Sequence, residues 1–97
     1  MPTYITMIRY TQQGIEKIKD SPQRLERARA AVQKAGGQMK AFYLTIGQYD
    51  GVSIIEAPND EAYTTCVLAI ASAGSVRTET LRAFTEEEYR KIIAALP

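Results

Sequence analysis

The chain has 97 residues, a length that suits one small domain over residues 1–97 and leaves little room for a second. Hydrophobic residues make up 45% and charged residues 24% of the chain, which excludes a disordered, collagen-like or membrane-spanning protein. The net charge is only +1 and basic residues lie among acidic ones, so we expect no extended positive surface and no nucleic-acid partner.

The counts of His and Cys limit the chemistry further. His is absent, which removes the commonest metal ligand and general base, so we expect no metal site, no cofactor and no His-based triad. Cys66 is the single cysteine, which excludes an intramolecular disulfide, and its apolar surroundings predict a packing residue rather than a nucleophile. The first ten residues lack a signal-peptide pattern, so we expect a cytoplasmic protein without a membrane partner.

The first half of the chain predicts a strand, a broken helix and a second strand. Residues 4–10 alternate and are rich in β-branched and aromatic side chains, which favours a strand. A short helical turn follows, and Ser21 and Pro22 then predict a new helix with Ser21 as its N-cap. Apolar residues recur at three- and four-residue steps until Gly36 ends that helix, and residues 38–46 form the second strand.

The second half predicts a hairpin, a helix and a last strand. Residues 47–51 form the turn to a third strand over residues 52–57, and this short connection favours antiparallel pairing. Asn59 caps a helix that carries a face of small residues and ends at Gly74. Residues 75–84 lack helical periodicity and contain Ser, Thr and Val, so we expect a fourth strand.

The chain closes with a predicted amphipathic helix. Residues 85–88 (TEEE) match a capping box, in which Thr85 caps the helix and Glu88 reaches back to it. The apolar residues that follow recur on one side of the helix. They are Tyr89, Ile92, Ile93 and Leu96.

This order of elements predicts an α+β fold of the ferredoxin-like βαββαβ type with an extra C-terminal helix. Right-handed crossovers give a four-stranded antiparallel sheet with two helices on one face. The other face then lacks cover, and we expect it to be aromatic and apolar enough to drive homodimerisation or a higher homo-oligomer. The residues expected on that uncovered face include Tyr4, Thr6, Ile8, Tyr10, Tyr43 and part of residues 75–82.

Four segments together resemble the GYD domain family. They are residues 13–15 (QGI), 18–22 (IKDSP), 47–50 (GQYD) and 76–80 (VRTET). The resemblance covers nearly the whole chain. It implies a ferredoxin-like α/β fold similar to domains that pair sheet to sheet as dimeric α+β barrels, and it implies no established activity and no catalytic residues.

Two groups of polar residues are candidate ligand-binding sites. Tyr49 and Asp50 in the 47–51 turn offer a phenol and a carboxylate to a polar ligand, although the same residues also suit a purely structural hairpin. Arg77 and Glu79 lie two residues apart in a strand and therefore project from the same face. On an enclosed face Arg77 can clamp a carboxylate and Glu79 can act as a base, whereas an intersubunit salt bridge or a solvated edge strand is the structural alternative.

Tyr10 and Tyr43 complete the set of ligand-binding candidates, because phenols suit both a subunit interface and an aromatic pocket wall. The first functional hypothesis is a homo-oligomeric protein that binds a small organic ligand or acts as an assembly module. The alternative is a cofactor-independent enzyme for proton transfer, isomerisation or oxygen chemistry on a small organic acid or aromatic compound. In that alternative Glu79 or Asp50 is the base and Arg77 holds the anion.

Overall fold

Four strands and four helices follow one another along the chain, and the computed structural model describes all residues, 1–97. A 3-10 turn over Ile18–Asp20 joins the first two helices. The elements in chain order are β1 (Thr3–Tyr10), α1 (Gln12–Glu16), α2 (Ser21–Lys34), β2 (Gln38–Leu44), β3 (Gly51–Glu56), α3 (Asp60–Ser72), β4 (Val76–Ala83) and α4 (Glu86–Ala94).

The strands form one antiparallel sheet in the order β2-β3-β1-β4. Helices α2 and α3 pack against each other and against this sheet, which confirms the predicted ferredoxin-like α+β fold. None of the helices combines the length and the apolar character that crossing a bilayer requires.

Helix ends follow the predicted signals with one difference. The side chain of Asn59 accepts a hydrogen bond from the Ala62 N–H at 2.8 Å, which caps α3 as expected. Gly36 follows α2 with a φ of +87°, a conformation that glycine adopts without strain. The N-cap of α2 is Asp20, so the prediction of Ser21 as the cap was wrong by one residue.

The core lies between the sheet and helices α2 and α3. It contains seven buried residues, Tyr4, Val32, Met39, Ile55, Ala57, Tyr63 and Cys66. Burial raises the pKa of the Cys66 thiol, which keeps it protonated and unreactive. The prediction of Cys66 as a packing residue is therefore confirmed.

The predicted assignment of β1 to the uncovered face was wrong. Tyr4 and Thr6 are only 3% exposed because they lie beneath the helices, and Ile8 and Tyr10 share their face. Both side-chain rows of β1 contain apolar residues, so alternation alone did not distinguish them. Hydrogen-bond partners on the helix side decide which row of β1 is covered, since the hydroxyl of Tyr4 donates a hydrogen bond to Asp60.

We call the uncovered side of the sheet the open face. Two rows of neighbouring residues cross its centre from β2 to β4. They are Ala41, Ile54, Ile5 and Leu81 in one row and Tyr43, Val52, Met7 and Glu79 in the next. Arg9 and Arg77 form a further pair at one end of the face.

Helix α4 extends away from this two-layer body. The side chain of Thr85 accepts a hydrogen bond from the Glu88 N–H, and the Glu88 carboxylate accepts one from the Thr85 N–H, which confirms the capping box. No residue of α4 is buried, and α4 packs extensively against no other element. The apolar side chains of this C-terminal segment are exposed, namely Tyr89, Ile92 and Ile93 of α4 and Leu96 just beyond its end.

Candidate functional site

The open face carries a polar cluster at the end where β3 begins. The Tyr49 hydroxyl donates a hydrogen bond of 2.8 Å to Oε2 of Glu79. The guanidinium of Arg9 lies 4.8 Å from the centre of the Tyr49 ring, and its Nη1 is 3.8 Å from Oε1 of Glu79. Arg9 Nε also donates to the carbonyl of Gln48 at 3.1 Å. We call these residues the Arg9–Tyr49–Glu79 cluster.

The electrostatics of this cluster favour a neutral phenol. The hydrogen bond to the Glu79 carboxylate raises the pKa of Tyr49, with further contributions from desolvation and from the negative charge of Glu79. The positive charge of Arg9 acts in the opposite direction. Tyr49 is therefore a hydrogen-bond donor at neutral pH rather than a nucleophile, and its partner Glu79 uses both carboxylate oxygens in contacts within the chain.

Arg77 lies beside this cluster and directly opposite Arg9 in the pairing of β1 with β4. Residues of the two strands and Tyr49 surround a cleft of about 340 Å³ there. Arg77 takes part in none of the four ion pairs of the structure. Because like charges opposite each other on neighbouring strands destabilise a sheet, this end of the open face favours an approaching anionic group.

Asp50 lies in the same turn, but its carboxylate points to the backbone of β1. Its Oδ2 accepts a hydrogen bond of 2.9 Å from the Tyr10 N–H, and its own N–H donates to the carbonyl of Ile8 at 2.8 Å. Gly47 starts the turn with a φ of +121°. These contacts support the interpretation that Asp50 stabilises the turn and does not bind a ligand. The side chain of Tyr49, in contrast, reaches the open face.

The structure therefore brings together three of the six candidate residues, namely Tyr49, Arg77 and Glu79. Tyr43 is on the open face but lies on β2, with β3 and β1 between it and Glu79. Tyr10 is on the opposite face of the sheet and lines a separate cavity.

Arg9 completes the cluster and was missed in the sequence. An arginine in the same row of β1 as Ile5 and Met7 is the available signal, because a charged residue within an otherwise apolar strand face needs partners. Those partners come from β4 and from the turn before β3, so the signal gains meaning only when the strand order is known.

A second concave region, which we call the helix-side cavity, lies between the sheet and helices α2 and α3. Its volume is about 590 Å³, and most of its lining residues are hydrophobic. Tyr10 contributes to the lining, together with the buried side chains of Thr6 and Ser53. The cavity and the Arg9–Tyr49–Glu79 cluster are on opposite sides of the sheet.

Known proteins resemble this chain at the level of sequence. The sequence profile of the family described as GYD domain matches residues 4–93. The chain is also 33% identical over 84 residues to a protein of Thermus thermophilus named glutamine synthetase and cystathionine beta-lyase binding protein. That alignment covers 86% of this chain and 88% of the relative.

Solved structures share the fold. A crystal structure of a Thermus thermophilus protein superposes with a TM-score of 0.56 at 28% identity, over 87% of this chain and 94% of that protein. A feast or famine regulatory protein from M. tuberculosis, solved in complex with L-methionine, superposes with a TM-score of 0.67 at 16% identity. The superposition covers 88% of this chain and 51% of the regulator, so this chain spans about half the regulator's length.

Proposed function

Because this chain belongs to the GYD domain family, whose sequence profile matches nearly all of it, we propose that it is a homodimeric, non-catalytic protein-binding module. The open face is its dimer interface. The observation that carries this proposal is an apolar sheet face that no element of the chain covers.

The composition of the open face resembles that of a protein interface. Its central positions are apolar side chains of the two middle strands, Ile5, Met7, Val52 and Ile54, and the exposed Leu81 lies beside them on β4. Charged residues lie at the two ends and, as Glu79, at the β4 edge of the face. An apolar centre with a polar rim is typical of an interface, and stable monomers seldom expose such a continuous patch.

The distribution of charge suits a second copy of the chain. Arg9 and Arg77 lie at one end of the open face, and Glu56 lies at the other end beside Thr3 and Gln38. In a two-fold dimer whose stacked sheets run in opposite directions, the arginine end of one protomer lies over the partner's Glu56. Opposite charges then meet at both ends of the interface.

The relative from Thermus thermophilus is named for binding two metabolic enzymes, and its alignment covers most of both chains. We infer that this chain also binds an enzyme of amino-acid metabolism. The outer surface of the dimer, where helices α2 and α3 cover the other side of each sheet, is the region available to such a partner.

A catalytic role for the open face has less support. Both oxygens of Glu79 are engaged by Tyr49 and Arg9, and the carboxylate of Asp50 accepts the Tyr10 N–H. The two candidate bases are thus held in contacts within the chain. This arrangement favours binding over proton transfer.

Sedimentation velocity across 1–100 µM protein tests the dimer. We expect a two-chain mass for the wild type and a one-chain mass for Leu81→Lys, because a dimer would bury two copies of this side chain. The loss of two buried leucines should raise the dimer dissociation constant at least about a hundredfold. Leu81 is 53% exposed, so this substitution does not disturb the core.

Leu68→Lys is the matched control, since Leu68 is 63% exposed but lies on α3, away from the open face. It should sediment like the wild type. A monomeric wild type at 100 µM, or a Leu81→Lys dimer as tight as the wild type, would contradict the proposed interface.

Addition of purified glutamine synthetase or cystathionine beta-lyase should produce a faster boundary that contains both proteins. If neither enzyme does so, the inferred class of partner is wrong.

A further inference from the structure

We propose that the helix-side cavity binds a small amphipathic carboxylic acid, with its apolar tail between the helices and the sheet and its carboxylate near two arginines of α2. This site is on the opposite side of the sheet from the open face. The inference therefore goes beyond the proposed interface and does not depend on it.

The size of the cavity comes from small side chains on the covering helices. Four alanines face it, two from α2 and two from α3 and its C-terminal end, where larger residues would fill the layer; they are Ala28, Ala31, Ala69 and Ala73. The volume of about 590 Å³ lies within the usual range of ligand pockets, roughly 300–1,000 Å³.

The cavity lining combines apolar core residues with a buried hydroxyl. Met39 and Ile55 are among these core residues. Ser53 is only 2% exposed and lines the cavity, so its hydroxyl is a polar group that the wall offers to a ligand. A hydroxyl in such apolar surroundings favours a ligand that supplies a polar atom to it.

The charge of the cavity lining is entirely positive. Arg24 and Arg27 lie one helical turn apart on α2, and no Asp or Glu lines the cavity. The guanidinium of Arg24 is held by the carbonyls of Lys17 and Gly14 at 2.8 and 3.2 Å, and Arg27 forms no ion pair. A ligand carboxylate at the cavity would supply the anionic partner that Arg27 lacks within the chain.

Decanoate is a suitable probe, because it combines a flexible apolar tail with one carboxylate, and 1-decanol is the matched uncharged compound. Isothermal titration calorimetry should show saturable decanoate binding with one site per chain. Because a partly exposed charge interaction is worth at most about 1 kcal/mol, we expect decanol to bind up to about fivefold more weakly.

Variants locate the site. Arg27→Gln should weaken decanoate binding to the level of decanol, whereas Arg29→Gln should have no effect, because Arg29 pairs with Glu26 and does not line the cavity. Ala31→Leu should reduce affinity at least about tenfold by filling the space. Ala69→Leu provides a second filling variant if the first perturbs the far-ultraviolet circular dichroism spectrum.

Failure of this proposal is distinguishable from failure of the proposed dimer. Leu81→Lys should bind decanoate as the wild type does, since Leu81 is on the open face. The absence of saturable decanoate binding at millimolar concentration would overturn the proposal. So would binding that both filling variants leave unchanged, which would place the fatty acid on the open face or on α4. Equal loss of affinity in the Arg27 and Arg29 variants would overturn the role of Arg27.

Discussion

Tyr4 occupies the middle of the core although its buried hydroxyl needs a hydrogen-bond partner. Its ring stacks on Tyr63 with centroids 4.0 Å apart and an angle of 7° between the planes. The Tyr4 hydroxyl donates to Asp60 in the first turn of α3, and the Tyr63 hydroxyl contacts those of Thr6 and Thr80. Each hydroxyl of this network has a partner, which explains how two tyrosines can form part of a core.

Because of this network, the free energy of unfolding should fall at alkaline pH. Burial, with the hydrogen bond to Asp60, raises the pKa of Tyr4 from 10.0 to about 12. Because the folded state holds the proton more tightly than the unfolded state, this stabilisation is complete below the unfolded pKa of 10.0 and is lost as the pH rises toward 12. The free energy of unfolding of the wild type, measured with urea, should therefore fall between about pH 10 and pH 12 more steeply than that of Tyr4→Phe.

At neutral pH Tyr4→Phe should lose about 1 kcal/mol, the typical value of one hydrogen bond. Tyr43→Phe is the control, because Tyr43 lies on the other face of the sheet and takes no part in this hydrogen-bond network, and it should retain the pH dependence of the wild type. Identical pH dependence in the wild type and Tyr4→Phe would show that Tyr4 is not the group responsible.

The turn between β2 and β3 links three elements through its backbone and side chains. Thr45 Oγ1 donates to the carbonyl of Tyr49 at 2.6 Å, which closes the turn on itself. Asp50 then holds the Tyr10 N–H at the end of β1, while the Tyr49 side chain reaches Glu79 on β4. The GQYD segment therefore ties the edge strand β4 to the hairpin, which accounts for its glycine, tyrosine and aspartate in physical terms.

Substitution of Asp50 should separate its acceptor role from its charge. Asp50→Ala removes the acceptor of the partly buried Tyr10 N–H and should lower the free energy of unfolding by about 1–3 kcal/mol. Asp50→Asn retains a carbonyl oxygen at this position and should lose much less. Urea denaturation of both variants is the measurement. If Asn destabilises as much as Ala, the negative charge rather than the hydrogen bond matters.

At the scale of the whole molecule, two apolar surfaces remain uncovered in the single chain. One is the open face and the other is the stripe on α4. Intrahelical ion pairs support α4, between Glu86 and Arg90 and between Glu87 and Lys91. Because α4 follows directly on β4 at the edge of the sheet, a dimer formed through the open face places it within reach of the partner.

Ile92→Lys should distinguish a role in assembly from a role in folding. Ile92 is 45% exposed on an element with little packing in the chain, so we expect the free energy of unfolding of the dilute monomer to change by less than about 0.5 kcal/mol. The dimer dissociation constant from sedimentation should rise at least about tenfold. Lys91→Gln, on the polar side of α4, should change neither quantity by as much. A large loss of monomer stability in Ile92→Lys would mean that α4 packs on its own chain.

Much of the fold could be predicted because its signals are local. Asn59, Thr85 and Gly74 mark helix ends through bonds or φ angles that involve residues within a few positions. The grouping of Arg77 with Glu79 on one face also followed from strand geometry alone. The break before α2 was predicted as well, although the N-cap of α2 is Asp20 and not the predicted Ser21.

The candidate site was less predictable because its parts come from separate elements. Arg9, Tyr49 and Glu79 belong to β1, a turn and β4, and only the antiparallel pairing of β1 with β4 brings them together. A register shift between Met39 and Ala41 changes which residues of β2 share a face. Such an irregularity has no reliable signature in a strand without glycine or proline.

The sequence by itself determined the order of the elements, their ends and the need for a cover on one face of the sheet, since periodicity and capping are properties of neighbouring residues. Only the tertiary structure decided which face that is. Strand β1 is apolar on both sides, and the choice depends on Asp60 and Tyr63 of α3, far along the chain, which satisfy the hydroxyls of Tyr4 and Thr6. Burial of a polar side chain requires its partner to be present, and that partner is specified by the fold rather than by the local sequence.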